Sequence, residues 1–312
     1  MLATFADAAW RREPGAVRDA LEANRIVHFP TCPLPLPPES TLDFLRRELP
    51  SRLKLKNVSY HPEAGRVSGL EADADTTARV TEALRSHLAE VESFLRQVTG
   101  DLTDGARVGT CSFRPIEEKG RKLKPHASNE LVHVDAGAYG ATDGDRILRF
   151  FVNVNPSRDR VWATKGSFED MIARHGVRAG LLDETGRLRL RIEKRAADRA
   201  VSALVAGLAR LNPLATVIDT SPYDRAMRRL HNYMKDDPGF IADMDGYLEI
   251  RFPPLSAWMV FTDGVSHASL EGQFALVTTM IVRRAQMRWP ERAPFNALLA
   301  RAARPSPVNA AQ

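Results

Sequence analysis

Apolar and polar residues follow two different periods along this chain, helical in the first hundred residues and mostly strand-like afterwards. The clearest helical pattern runs from residue 75 to residue 97, DTTARVTEALRSHLAEVESFLRQ. Four apolar residues recur there at intervals of three or four: Leu84, Leu88, Val91 and Leu95. This spacing places them on one face, so the pattern predicts a long helix with its apolar stripe against the core.

The other N-terminal patterns are shorter. Residues 4–24 indicate helix, broken near Pro14, and the apolar run IVHFP at 26–30 indicates a strand. The proline-rich stretch 30–40 favours an extended connector. A further helix is expected at 40–48, because Ser40 and Thr41 before LDFLRREL can serve as its cap.

The sequence pattern changes from Arg107 onward. Short runs rich in β-branched and aromatic residues are separated there by Gly, Pro, Asp or Asn, which is typical of strands joined by turns. These runs are RVGTCSFRPIE (107–117), LVHVDA (131–136), DRILRFFVNVNP (145–156), RVWAT (160–164), YLEIRFPP (247–254), SAWMVFTDG (256–264) and FALVTTMIVRR (274–284). Between Phe168 and Asp245 the pattern is helical again, most clearly at 193–211 and 222–235.

These elements predict an α+β fold built as a single domain, residues 1–312. We expect residues 1–105 to be a mainly helical N-terminal region and residues 106–290 to form an antiparallel β core. A helical insertion is expected at about 167–240, and a C-terminal tail at 291–312.

A histidine and an aspartate stand one residue apart in LVHVDA. Because successive side chains of a strand point to opposite faces, His133 and Asp135 would share one face and the flanking valines the other. Two metal-ligating side chains directed at one point indicate a metal site. A half-buried strand with two polar residues on its solvent face would give the same short string.

A histidine far downstream completes a candidate ligand set. His267 follows the strand pattern WMVFTD and a glycine-containing turn, and precedes another long strand pattern. Two histidines and one carboxylate hold a non-haem iron(II) on one face and leave positions for substrate and dioxygen. The order of His133, Asp135 and a late-strand His267 is the one expected of a double-stranded β-helix (cupin or jelly-roll) oxygenase. We therefore predict that these three residues are the metal ligands and the catalytic centre.

The remaining histidines lie outside this pattern and are interpreted as surface or core residues, although His126 is placed where it could line the pocket. They are His28, His61, His87, His126, His175 and His231.

An oxygenase of this kind also needs a cation for a dicarboxylate co-substrate, and the planar fork of arginine suits a carboxylate. Arg149 shares a strand face with Phe151, and Arg114 shares one with Ser112. A structural salt bridge would explain either arginine equally well. Arg283, sixteen residues after His267, is a third candidate, with a surface role as its alternative.

Composition and charge indicate which partners and which cellular compartment are expected for this protein. The 312 residues carry 44 Lys and Arg against 39 Asp and Glu, a net charge of +5 without a run of like charges. That balance argues against a nucleic-acid-binding tail and suits anionic small molecules or an anionic membrane surface. Cys32 and Cys111 form no disulfide framework, which fits a reducing compartment. The start resembles no signal peptide and no run is long enough to span a membrane, so we expect a cytoplasmic protein.

Several ordered strings resemble one enzyme family, the iron(II)- and 2-oxoglutarate-dependent Kdo 3-hydroxylases. These enzymes modify 3-deoxy-D-manno-oct-2-ulosonic acid in the inner core of lipopolysaccharide. The strings are TCSFRPIE (110–117), LVHVDA (131–136), GDRILRFFVNVNP (144–156) with RVW (160–162), SPYDRAMRRLHNYMK (221–235) and FPPLSAWMVFTDGVSHASLEGQF (252–274).

The resemblance implies that His133, Asp135 and His267 bind iron(II), with 2-oxoglutarate and dioxygen as co-substrates. It favours Arg149 and Arg114 over Arg283 as the contacts for 2-oxoglutarate or an acidic sugar. It implies hydroxylation of an unactivated C–H bond in a small molecule, here a Kdo-like and lipid-linked sugar acid, with succinate as by-product. It implies no nucleic-acid partner, and the oligomeric state stays open.

One departure from the family leaves the substrate open. The stretch after Asp135 reads AGAYGATDG (136–144), where bulkier and basic residues are expected in Kdo hydroxylases. A free amino acid or a natural-product intermediate is therefore an alternative substrate. Two other classes keep the same three residues: a cupin-type metalloenzyme using zinc or manganese without 2-oxoglutarate, and a non-catalytic β-barrel binding protein.

Overall fold

The helices of the computed structural model surround two β-sheets. The structure describes residues 1–7, 9–13, 15–137, 140–195, 198 and 221–302. Within these ranges the α-helices are α1 (Ala9–Arg12), α2 (Ala16–Glu22), α3 (Glu39–Asp43), α4 (Ala74–Thr99), α5 (Phe168–His175), α6 (Pro222–Asp236), α7 (Pro238–Ala242) and α8 (Pro294–Ala302). No described helix combines the length and the apolar character needed to cross a membrane.

The strands form one large sheet and one small sheet. They are β1 (Leu2–Thr4), β2 (Ile26–Phe29), β3 (Val58–His61), β4 (Arg66–Ser68), β5 (Arg107–Arg114), β6 (Arg146–Asn153), β7 (Arg160–Thr164), β8 (Leu248–Phe252), β9 (Ala257–Phe261), β10 (Ala268–Glu271) and β11 (Ala275–Val282). The large sheet has the order β1-β2-β9-β6-β11-β5-β3-β4, and the small sheet has the order β10-β7-β8. β1 and β2 pair in parallel, and the other paired strands are antiparallel.

One face of the large sheet packs against α4. The helix begins where the side chain of Asp73 accepts a hydrogen bond from the backbone N–H of Thr76, and it ends at Gly100. Its apolar stripe joins alternate residues of β6 in one buried cluster: Leu84, Leu88, Val91, Leu95, Leu148, Phe150 and Val152. The long helix predicted at 75–97, with its buried stripe, is confirmed.

The opposite face of the large sheet meets the small sheet. Trp258 of β9 stacks on Phe252 of β8, with ring centroids 3.9 Å apart, and also on Phe151 of β6, at 5.0 Å. Trp162 of β7 packs edge-on against both Phe151 and Trp258. Because side chains alternate along β6, Phe151 and Arg149 point toward the small sheet while Phe150 points toward α4. The space between the two sheets therefore receives polar and aromatic residues from β6.

The predicted α+β class agrees with this mixed architecture of two sheets and flanking helices. Six of the seven predicted runs after Arg107 contain a strand, and β2 is confirmed at 26–29. The N-terminal region contributes β1 to β4 in addition to its helices, so it is built into the large sheet. The patterns did not predict β1, β3, β4 or β10, which are only three or four residues long.

Three predictions need correction or fall partly outside the described residues. LVHVDA is not a strand, because within it only His133 pairs with another chain segment, in an isolated bridge to His267. The helix predicted at 193–211 falls almost wholly outside the described residues. α8 begins and ends inside the predicted tail, whose last ten residues, 303–312, also lie outside them.

Candidate active site

Two backbone segments meet at the rim of the small sheet. The backbone N–H of His133 donates to the carbonyl oxygen of His267 at 3.0 Å, and the N–H of His267 donates back at 2.8 Å. Two residues further on, the N–H of Asp135 donates to the carbonyl oxygen of Thr262 at 2.9 Å. These three bonds bring residues 134 positions apart in the sequence to the same point.

The side chains of His133, Asp135 and His267 converge there. One ligand atom from each lies within 4.8 Å of the other two. Nε2 of His133 is 3.8 Å from Oδ1 of Asp135, and the two imidazole centroids are 4.7 Å apart. Both histidines are buried. The three residues that the sequence pattern singled out are therefore grouped as a metal site requires.

The hydrogen bonds of the two imidazoles leave the same nitrogen available on each ring. Nδ1 of His133 lies 2.7 Å from the carbonyl oxygen of Leu131, and Nδ1 of His267 lies 3.0 Å from that of Val265. A carbonyl only accepts, so each Nδ1 carries the proton and each Nε2 presents a lone pair. Burial lowers the pKa of both histidines, which keeps the imidazoles neutral.

Asp135 is held in its ionised form. Burial alone would raise the pKa of this carboxyl, but the positive charge of Arg149, together with other neighbouring groups that include a hydrogen bond from Thr262, lowers it. Nη2 of Arg149 lies 2.9 Å from Oδ2 of Asp135. Two neutral imidazoles and one carboxylate are the donor set that suits a divalent iron with open positions, so the residues present fit that metal.

A polar cavity of about 260 Å³ opens beside the three side chains. Its wall comes from alternate residues of adjacent strands in the large sheet: Arg149 and Phe151 of β6, Val277 and Thr279 of β11, and Ser112 and Arg114 of β5. The guanidinium of Arg114 lies 5.9 Å from the ring centroid of Phe151. The two arginines predicted to share faces with Phe151 and Ser112 therefore line one cavity with them.

Arg283 lies elsewhere. It follows the last residue of β11, is exposed, and does not line the cavity. Its guanidinium lies against Gly105, where an added Cβ would be 2.8 Å from Cζ of Arg283. Arg283 is therefore not among the residues that could contact a co-substrate beside His267.

Comparison with known proteins identifies the family of this chain. Residues 7–305 match the family model of 3-deoxy-D-manno-oct-2-ulosonic acid (Kdo) hydroxylases. The chain belongs to the Kdo hydroxylase family. No curated protein shows significant sequence similarity to it.

Solved structures of one Kdo hydroxylase, KdoO, resemble this chain over nearly its whole length. KdoO is described as a non-heme Fe(II) alphaketoglutarate dependent dioxygenase. Its complex with alphaketoglutarate and Fe(III) has a TM-score of 0.78 at 26% identity, covering 96% of this chain and 95% of KdoO. The apo form gives 0.77 and the cobalt(II) complex 0.78, both at 26% identity and with the same coverage. The recognition of the family from its sequence strings, and with it the dioxygenase class, is confirmed.

Two aromatic side chains beside the candidate ligands were not predicted to lie there. Trp162 stacks on the ring of His267, with centroids 5.2 Å apart and an interplanar angle of 22°. His231 of α6 packs edge-on against His133 at 4.9 Å, and its Nδ1 lies 2.8 Å from the carbonyl oxygen of Val134. His231, interpreted from the sequence as a surface or core residue, thus supports a candidate ligand directly. The available signal was that both residues fall within the strings shared with the family.

His126 does not line the cavity. Its Nε2 is 2.6 Å from Oδ2 of Asp236, and both side chains are about half exposed.

The loop that carries His267 is anchored by a buried ion pair. Nε of Arg146 donates to Oδ2 of Asp263 at 2.7 Å, and Oδ1 of Asp263 accepts from the backbone N–H of Ile147 at 3.1 Å. Arg146 also donates to Oδ1 of Asn24 at 2.8 Å. These polar groups enclose Gly264, where an added Cβ would be 2.2 Å from Arg146 and from Asn24. The loop is therefore fixed by its own neighbours, four residues before His267.

We expect Arg146→Met to destabilise the protein by about 3–5 kcal/mol, because it leaves the Asp263 carboxylate buried without its partner. Urea unfolding followed by circular dichroism measures this loss. The matched control is Arg251→Met, which removes an exposed pair with Glu249 at 2.7 Å and should change the free energy of unfolding by at most about 1 kcal/mol. Equal losses in the two variants would contradict an anchoring role for Arg146.

Proposed function

We propose that this chain is an iron(II)- and 2-oxoglutarate-dependent hydroxylase. In this proposal it uses dioxygen to hydroxylate an unactivated C–H bond of a small acidic substrate, a Kdo-like sugar acid. Membership of the Kdo hydroxylase family supports the reaction. The observation that carries it in this chain is the convergence of three ligand atoms within 4.8 Å, beside a cavity lined by two arginines.

The proposed fold is a double-stranded β-helix formed as one domain by residues 1–312. This proposal is supported by the packing of the eight-stranded sheet against the three-stranded sheet, with an aromatic core and a polar cavity between them. The candidate ligands lie at the edge of this sandwich, where ligands bind in such barrels.

In the proposed site, Nε2 of His133, Nε2 of His267 and the carboxylate of Asp135 would hold iron(II). The bound iron would supply the redox chemistry that activates dioxygen. The protein holds both imidazoles in one tautomer through backbone carbonyls and keeps the carboxylate ionised through Arg149. The stack of Trp162 on His267 closes one side of the site and limits the access of water.

Arg114 and Arg149 are the proposed contacts for the carboxylates of 2-oxoglutarate. Both lie on the cavity wall, and the hydroxyl groups of Ser112 and Thr279 lie between them along the same face. A guanidinium can bond a carboxylate through two parallel hydrogen bonds. Because Arg149 also holds Asp135, replacing it would disturb a candidate ligand, so Arg114 is the more selective residue to test.

The alternative substrate is a free amino acid or a natural-product intermediate. The observation that favours it is the small-residue stretch 136–144, in which Gly137 and Gly140 have positive φ angles of 64° and 100°. The small residues of this stretch have less side-chain volume than the bulky or basic residues expected in the family. Family membership argues against the non-oxygenase metalloenzyme and the non-catalytic binding protein.

We expect the purified protein, supplied with iron(II) and ascorbate, to convert 2-oxoglutarate to succinate and to add one oxygen atom to its substrate. Mass spectrometry of a panel containing Kdo-bearing lipid A precursors and free amino acids identifies the product. A gain of 16 mass units (one oxygen) only in the sugar lipid supports the Kdo assignment, and a gain only in an amino acid supports the alternative. Absence of succinate with every substrate would contradict the proposed function.

We expect His267→Ala to weaken metal binding at least 100-fold, since it removes one of three protein ligands. Titration of the metal-free protein with cobalt(II), followed by visible absorption, measures the affinity without turnover. His61→Ala is the control, because His61 lies outside the cluster and bonds Ser68. Unchanged cobalt affinity in His267→Ala would show that the ligand assignment is wrong.

We expect Arg114→Met to raise the KM for 2-oxoglutarate by about 10- to 100-fold, the effect of losing a charge-assisted hydrogen bond. Steady-state succinate release measures it. Arg283→Met serves as the control, because this exposed arginine is remote from the cavity and should leave the KM within about twofold of wild type. A larger effect of Arg283→Met than of Arg114→Met would reverse the assignment.

A further inference from the structure

A lysine that lines the cavity has no role in the chemistry described so far. Lys56 precedes β3 by two residues and lines the cavity together with Asn57 and Ser59. Its side chain is accessible to solvent, and it forms no ion pair or hydrogen bond with any described residue. Lys54, two residues earlier, is instead paired with Glu71 at 3.2 Å.

Asp135, which lines the cavity, and Glu118, a buried carboxylate outside its lining, already have cationic partners. Asp135 lies against Arg149 at 2.9 Å, and Glu118 lies against Arg160 at 3.1 Å. The charge of Lys56 is therefore not neutralised by either carboxylate. An anionic ligand that enters the cavity would supply a counter-charge that these two carboxylates do not.

The positive charges around Lys56 repel one another. Partial burial, and after it the charge of Arg114, lower the pKa of Lys56, whereas Glu118 raises it. A carboxylate placed among these groups would reverse the repulsion and gain charge-assisted hydrogen bonds.

Lys56 and the candidate metal ligands line the same cavity, but Lys56 reaches it from the segment before β3. In the large sheet, β3 is three strands away from β6, which carries Arg149. Neighbouring strands are about 4.8 Å apart, so the backbones of β3 and β6 are separated by roughly 14 Å. A five-carbon 2-oxoglutarate bound beside the candidate metal ligands would be met by Arg114 or Arg149 first. The anion at Lys56 is therefore expected to belong to a second molecule.

We propose that Lys56 binds the carboxylate of the primary substrate and thereby selects sugar acids over neutral sugars. This inference rests on the proposed function, because it assigns the part of the cavity beside the candidate metal ligands to 2-oxoglutarate. Lys56 is in this view a specificity-determining residue, which holds the substrate by its carboxylate in the cavity that the candidate metal ligands also line.

The test compares two ligands, Kdo and its methyl ester, which lacks the negative charge and carries one additional methyl group. Each is titrated calorimetrically into enzyme loaded with iron(II) and 2-oxoglutarate under anaerobic conditions, so that binding is measured without turnover. We expect wild type to prefer the acid and Lys56→Met to bind the acid about 10- to 100-fold more weakly, with little change for the ester. Lys56→Arg should restore part of the preference, and Lys54→Met should keep all of it.

Three results would overturn the inference: wild type without a preference for the acid, Lys56→Met with the wild-type preference, or an equal loss in Lys54→Met. A rise in the KM for 2-oxoglutarate in Lys56→Met, larger than the loss of acid binding, would assign Lys56 to the co-substrate and also overturn it. Failure of the proposed function is a different result. It would appear as wild-type protein that releases no succinate from 2-oxoglutarate, and the inference would fall with it.

Discussion

The candidate site depends on one pair of backbone hydrogen bonds, those between His133 and His267. Residues that exchange both bonds in an antiparallel pair lie directly opposite each other, with Cα atoms about 5.5 Å apart and side chains on the same face. The bridge therefore sets the separation of the two imidazoles whether or not a metal is present. Alternation along the extended segment then places Asp135 on the same side, one step further along.

A bridge of one residue pair is weak by itself, and it is supported from both sides. Arg146 and Asp263 fix the loop before His267 through bonds to the backbone of β6. On the other side, α6 holds the segment around His133. Its Asp224 accepts from the backbone N–H and hydroxyl of Thr142, and its His231 bonds the carbonyl oxygen of Val134. The helical insertion of the sequence thus has a structural task, which is to hold the segment that carries two of the three candidate ligands.

The sequence predicted what depends on local alternation and missed what depends on distant packing. His133 and Asp135 share a face because extended backbone alternates, and this holds although LVHVDA forms only a bridge. The shared face of Arg149 and Phe151 followed from the same rule. Arg283 is four residues after Thr279, so strand alternation would put both side chains on the same face. It lies beyond the end of β11, however, where alternation no longer determines which way a side chain points. The helical period of α6 shows which residues share a face with His231. It does not show which part of the protein packs against that face.

The charges of the site indicate that folding and metal loading are separable in this chain. A buried carboxylate without a partner would favour protonation or unfolding, and in small zinc domains the metal itself supplies the missing partner. Here Arg149 supplies it, since it neutralises Asp135 through Oδ2 while Oδ1 faces His133. The two imidazoles are neutral and bonded to carbonyls, so they do not repel one another in the metal-free protein. The donor set is consequently arranged by the fold, and a metal ion entering it would meet ligands already in their binding protonation states.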